Sequence, residues 1–308
     1  MALRKAKLQG MAAPAVRTSR ARSGGWRHGL TAYLFMAPYL ALFGVFLLVP
    51  ALVGIGASFT EWGIVGSPTY VGLANYRRIF ADTLFRQSIF NTFYFMVLTA
   101  IPLVVLGLAL ALLLNQRLRG RSIVRIIVYL PHVIMVSAVG IVWVWIYDTN
   151  YGLLNYYLTK LGLPAIGWLY DVNWAMPALA ITTIWWTVGT NTIIYLAGLQ
   201  DIPEELYDAA KVDGAGGWSL FRHITLPLLL PVNAFVIPLT VIASWRVFGQ
   251  SFVMTQGGPE SRTFVIAQYI YLTAFQNFEM GPAAAASVVL LVITLAFTIV
   301  QLRAMRVL

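Results

Sequence analysis

The 308-residue chain contains no cysteine, so it can build neither a disulfide nor a thiolate metal site. Charge is scarce as well. Asp, Glu, Lys and Arg make up 10% of the residues, against about 25% in ordinary soluble domains. Acidic groups are rarer than basic ones, 11 against 21, which leaves a net charge of +10. The three histidines, His28, His132 and His223, stand far apart without metal-like spacing, and His132, just after Pro131, reads as a structural residue at a helix start. No G-x-x-x-x-G-K-[ST] phosphate loop occurs and no glycine is followed by lysine, so the chain is not its own ATPase by that route. No paired nucleophile and base is present to support an intramembrane enzyme. The chain is expected to bind no cofactor and no metal.

What the chain has is apolar length. Hydrophobic residues reach 59% and the mean hydropathy is +0.77, above the roughly 45–50% apolar content of soluble domains. These values predict an all-α membrane protein with one membrane domain over residues 30–308. Six segments can each supply the about 20 apolar residues that a bilayer requires. They are 32–59, 88–114, 123–147, 174–199, 224–248 and 281–302. Pro227, Pro231 and Pro238 interrupt the fifth, which is tolerated where neighbouring helices satisfy the freed carbonyls. A weaker apolar stretch, 263–275, is rich in Tyr and Gln and is expected to be a helix at the outer interface rather than a span. Residues 1–29 differ from the rest. Arg4, Lys5, Lys7, Arg17, Arg20, Arg22 and Arg27, with no acidic residue, form a basic arm expected to touch anionic headgroups rather than nucleic acid. The apolar run after it is too long for a signal peptide.

The loop charges orient these spans. With the N-terminus inside, the cytoplasmic segments hold 15 of the Lys and Arg residues: the arm, Arg117, Arg119, Arg121, Arg125, Lys211, Arg222, Arg303 and Arg306. The outer loops hold 6: Arg77, Arg78, Arg86, Lys160, Arg246 and Arg262. Both termini, and the loop 201–219, are therefore expected in the cytoplasm.

That loop holds five of the acidic residues between Asp201 and Asp213. Pro203 suits a first helical position, and Glu204 and Glu205 complement the helix dipole. Ala209 and Ala210 are small enough for another surface to approach. Gly214 stands where a helix needs a left-handed residue to end. The spacing predicts a short amphipathic helix protruding from the membrane, suited to a groove in a partner.

Asp208-Ala-Ala-Lys-Val-Asp-Gly214, then nine residues, then Ile224-Thr-Leu-Pro227, resembles the Glu-Ala-Ala motif of permease subunits in binding-protein-dependent ABC importers, with Asp208 in place of Glu. Gly72-Leu-Ala-Asn-Tyr76 with Phe85 and Asn91-Thr92 is similar to the family's approach to its second helix. Gly152-Leu-Leu-Asn155 with Gly162-Leu163 and Trp168-Leu169 resembles its outer loop. Thr255-Gln-Gly-Gly-Pro259 with Thr263 is similar to its segment after the fifth helix. Over residues 30–303 the set resembles the carbohydrate-uptake branch, on the side of the larger maltose-transporter permease. The resemblance implies a type I permease fold, six transmembrane helices and a cytoplasmic coupling helix. It implies a second homologous permease, an extracytoplasmic solute-binding protein and two copies of a cytoplasmic ATPase that hold ATP and Mg. The solute would be a sugar or sugar-like, crossing a bacterial or archaeal cytoplasmic membrane. Glu205, Asp208, Ala209, Ala210, Asp213 and Gly214 would couple to the ATPase.

A solute path is suggested by two helical faces. Thr183, Trp186, Thr187, Thr190 and Asn191 share one face of the fourth span. Thr240, Ser244, Trp245 and Phe248 recur along the fifth. Hydroxyls and amides suit a sugar's rim, and Trp186 or Trp245 would stack on its C–H face. Thr183, Trp186, Thr187, Thr190, Thr240, Ser244 and Val247 fall where the resemblance places solute contacts. The cavity is expected to be polar and largely free of fixed charge. The alternative, an ion-coupled secondary transporter of a small polar solute, calls for buried carboxylates. The spans hold few ionisable groups apart from Arg246.

Overall fold

The computed structural model describes residues 26–63, 67–116 and 119–305, so the basic arm over 1–25, Arg117 and Arg306 lie outside the described residues. The chain divides into two units, Met1–Val53 and Gly54–Leu308. In the first, α1 (Trp26–Phe43) passes through a five-residue π-helical turn, Gly44–Leu48, into α2 (Val49–Ala57). Tyr33–Ala57 is long and apolar enough to cross a membrane. The helix begins at Trp26, inside the stretch expected to be the arm.

The second unit opens on a short antiparallel ribbon, β1 (Thr60–Glu61) with β2 (Thr69–Tyr70), pairing Thr60 with Tyr70. There follow α3 (Ala74–Ala81), α4 (Thr83–Asn115), α5 (Arg121–Val133), α6 (Val136–Ile146) and α7 (Leu153–Lys160). Next come α8 (Ala175–Gln200), α9 (Glu204–Val212) and α10 (Gly217–Leu220), which leads through a second π-helical turn, Phe221–Thr225, into α11 (Leu226–Leu228). The chain ends with α12 (Leu230–Trp245), α13 (Gly249–Met254), α14 (Ile266–Phe275) and α15 (Met280–Ala304).

The pair α4 and α8 forms the spine of this unit, with α12 packed on it. Lipid tails give helices no hydrophobic reason to associate, so close backbone approach has to hold them. Glycine permits it here. A Cβ on Gly107 would stand 2.8 Å from that of Asn191, and one on Gly189 would stand 2.3 Å from the Val128 carbonyl oxygen.

Length and composition give four spans: Tyr33–Ala57, Thr83–Asn115, Leu230–Met254 and Met280–Ala304, with a fifth if α5 and α6 count as one. Helix α8 has 26 residues and reaches about 39 Å at 1.5 Å per residue. Its threonines and Asn191 make it less apolar than the others. The expected third span is not straight, because α5 and α6 meet at a 98° bend. Pro131 removes a helical N–H in the last turn of α5. The two halves also pack on different partners. α5 lies on α8, whereas α6 lies on α13, where Gly140 meets Val253 and Gly249 meets Val136.

The stretch 263–275 forms a helix too short to span, as expected, and it is packed on its neighbours. α14 lies against α4 and α15, with Ile266, Gln268 and Tyr269 buried. The Ile266 N–H donates to Thr92 Oγ1 at 2.9 Å, and Ser251 Oγ donates to Gln268 Oε1 at 2.8 Å. The polar residues that suggested a surface make internal bonds. Other motif residues fix loops in the same way. Asn75 donates to the Ser58 and Thr60 carbonyls at 3.0 and 2.9 Å. Asn91 donates to the Ser261 and Phe264 carbonyls at 2.7 and 2.9 Å. Asn155 holds Ile166 on both its backbone groups and accepts from the Trp168 indole.

Candidate functional site

Two regions gather the residues singled out by sequence, one at each end of the α8–α12 pair. The first is α9. Its N-terminal turn carries Glu204 and Glu205, and none of its residues is buried. Gly214 has φ +82° and ends the helix in a left-handed residue, as expected. The Ala215 N–H returns to the Ala210 carbonyl at 2.9 Å and the Gly214 N–H to Lys211 at 3.0 Å, a Schellman closure. One side of α9 is tied down: the Tyr207 hydroxyl meets Thr225 Oγ1 at 3.0 Å, and Ile202 just before the helix is buried among Leu199, Tyr195 and Leu229. The other side is free of the bundle. Glu205, Asp208, Ala209, Asp213 and Gly214 are exposed, Ala210 is half-buried, and Val212 is 88% exposed. Asp208 pairs with Lys211 at 2.9 Å on this surface. An apolar side chain held out beside acidic groups is a surface made to be covered. Sequence reading missed Leu206, Val212 and Trp218, the exposed apolar residues of this loop.

The second region is a cavity of about 490 Å³ between α5, α8 and α12. Thr183, Trp186, Thr187, Thr190, Asn191, Thr240, Ser244 and Phe248 all reach its wall, as does Val247. Trp245 does not. It is 1% exposed and packs against Phe93 and Phe297, on the side of α12 that faces α4 and α15. The stacking face at the cavity is therefore Trp186. Its indole N–H donates to the Ile134 carbonyl at 3.1 Å, at the bend between α5 and α6. That bond satisfies a carbonyl the broken helix leaves free and fixes the ring beside the cavity.

Most hydroxyls in the wall are already committed. Thr183 donates to the Leu179 carbonyl at 2.8 Å, Thr187 to Thr183 at 2.7 Å, Thr240 to Val236 at 2.8 Å and Ser244 to Thr240 at 2.9 Å. Asn191 bridges α4 and α12 through the Leu103 carbonyl at 3.2 Å and Thr240 Oγ1 at 3.0 Å. Thr99 of α4 donates to Ser244 Oγ at 3.0 Å. Thr190 Oγ1 and His132 Nδ1 have no hydrogen-bond partner within the chain. His132 is not at a helix start. It sits in the last turn of α5, lines the cavity and has its ring 6.0 Å from that of Trp186. Gln250 also lines the wall, and its place on a helix past Arg246 gave sequence reading no signal. The wall is largely free of fixed charge, as expected, with Arg246 as its one permanent charge, but it is not the polar wall expected: apolar side chains such as Leu103, Ile194, Val236 and Leu239 make up most of it. Among the described residues no group of three His, Asp or Glu could hold a metal ion.

Comparison with known proteins bears on the chain as a whole. A family model described as the inner membrane component of binding-protein-dependent transport systems matches residues 104–305. A probable ABC transporter permease protein from Pyrococcus horikoshii is 36% identical over 85% of this chain and 91% of its own length. The trehalose/maltose transport system permease protein of Thermococcus litoralis is 35% identical over 91% of this chain and 95% of its own. Among solved structures, a bacterial ABC transporter involved in the import of the acidic polysaccharide alginate superposes with a TM-score of 0.78 and 26% identity, covering 91% of this chain and 96% of that one.

Proposed function

We propose a function on one premise: the chain belongs to the family of inner membrane components of binding-protein-dependent transport systems. It is a multi-pass membrane permease subunit, and its relatives are transport proteins rather than enzymes. On that premise the chain is half of the translocation path of an ATP-driven sugar importer. Its helix α9 docks on a cytoplasmic ATPase, and its cavity passes the solute. A second homologous permease supplies the other half of the path. Two ATPase copies hold ATP and Mg, and an extracytoplasmic binding protein delivers the solute. Both termini and α9 then lie in the cytoplasm.

One observation carries this reading. The same two helices connect the exposed surface of α9 to a largely apolar cavity that carries a few hydroxyls. α8 runs from the cavity wall at Thr183 to Gln200, and α9 follows it directly. α12 begins five residues after Thr225, which bonds to Tyr207 of α9, and carries Thr240 and Ser244 into the wall. A push on α9 therefore reaches both walls of the cavity through rigid elements. Committed Thr and Ser hydroxyls beside an indole face suit a polyol with apolar C–H faces. The names of relatives that carry trehalose, maltose or alginate support a solute of this kind.

The test is assembly and coupling. The chain is co-expressed with its neighbouring permease, ATPase and binding-protein genes, and the complex is placed in vesicles. ATP hydrolysis should rise when the sugar-loaded binding protein is added, and labelled sugar should enter only with ATP. Uptake driven by an ion gradient, without the ATPase, would overturn the reading.

A further inference from the structure

We infer that the solute carries a fixed negative charge, and that Arg246 receives it: a sugar acid, a sugar sulfonate or a sugar phosphate. This rests on the reading of the chain as a sugar-importer subunit. The charge in the cavity wall is one-sided. No Asp or Glu lines it, and Arg246 is its one permanent cation among the described residues. The ion pairs found among the described residues join Arg78 to Glu279 and Lys211 to Asp208, and neither involves Arg246. The residue follows the last turn of α12, where the negative end of the helix dipole tolerates a cation. Sixteen residues of α12 place it about 24 Å along the helix from Leu230, at 1.5 Å per residue.

Gln250, on α13 just past the break after α12, belongs to the same wall as Arg246. Across the cavity, Thr190 Oγ1 and His132 Nδ1 are the groups left without a partner, while the other wall hydroxyls have donated to carbonyls. Thr190 Oγ1 can donate to an anion, and His132 Nδ1 can do so in the tautomer that carries its proton there. Arg246 is exposed where it joins the cavity wall, so its guanidinium is open to a solute. A carboxylate, sulfonate or phosphate takes two parallel N–H bonds from the guanidinium fork. An arginine that only anchored to lipid headgroups would not belong to the cavity wall.

The experiment uses the complete complex in vesicles. Uptake of digalacturonate, sulfoquinovose and glucose 6-phosphate is compared with that of maltose. At least one anionic sugar should enter. Arg246→Gln should lower its uptake about tenfold or more, with Arg246→Lys between the two. If maltose alone enters, and Arg246→Gln transports it normally, the inference falls while the sugar reading stands. If no sugar, charged or neutral, enters, the sugar reading falls and takes this inference with it. A second measurement keeps Arg246 unchanged. Thr190→Cys is labelled with an anionic and a cationic methanethiosulfonate, in a complex whose other chains lack cysteine. Relative to their rates with a small free thiol, the anionic reagent should gain about tenfold over the cationic one. Equal relative rates would overturn the inference.

Discussion

Single residues decide whether the two regions do separate work. Gly214 has a left-handed backbone, and a Cβ added to it would meet nothing within 4 Å. A β-branched side chain there meets no clash, only the backbone penalty of about 1–2 kcal/mol. Gly214→Val should therefore leave the subunit inserted and assembled but lower solute-stimulated ATP hydrolysis. Asp208 is exposed and its bond to Lys211 spans three residues on a helix surface. Such pairs contribute only about 0.3–0.5 kcal/mol. Asp208→Lys should likewise spare stability while weakening ATPase binding in a pull-down. Full coupling in both variants would make α9 a mere connector. In the cavity, Thr187→Leu and Ser244→Leu should reduce uptake about tenfold with ATPase assembly intact. Ser244 is nearly buried and bonded to Thr99, so its larger replacement also overpacks α4 against α12 by about 1–3 kcal/mol. Thr187 is the cleaner probe. Normal uptake by Thr187→Leu would remove it from the path.

At the scale of elements, periodicity was readable and packing partners were not. Helix α9 was legible almost to the residue, because Pro203, which proves to be its N-cap rather than its first residue, the acidic first turn and Gly214 are local signals that act on their own backbone. So was the polar face of α8. Trp245 was grouped with Thr240 and Ser244 although a helix turns about 100° per residue, which puts it about 140° away from Thr240. The structure seats it against Phe297. The bend after α5 left a weaker trace. Pro131 marked it, yet the 98° angle is set by α8 and α13, which lie far along the chain. α14 was legible as a short helix but its partners were not: Gln268 and Tyr269 meet Ser251 and Asp82, far along the chain, in bonds of 2.8 Å. The bend itself is testable. Trp186→Phe keeps a ring beside the cavity but removes the donor to the Ile134 carbonyl. It should cost about 0.5–1.5 kcal/mol of stability by thermal unfolding, with uptake reduced more than the stability loss accounts for. Unchanged uptake would show that the indole only fills space.

For the whole molecule, the orientation is the expectation to check first. The complete absence of cysteine makes this direct. Ser219→Cys, in the loop after α9, should be blocked only by thiol reagents that enter the cell. Thr159→Cys, on α7, should react with impermeant reagents from outside. The opposite pattern would turn the molecule over and take α9 away from any cytoplasmic ATPase. One consequence of the cavity wall concerns throughput. A Thr or Ser that has given its proton to its own helix offers a passing solute only lone pairs. Such a wall touches its guest in many places and grips it in few. Residence there should be brief. A passage with a fresh donor at every turn would bind more tightly and deliver more slowly.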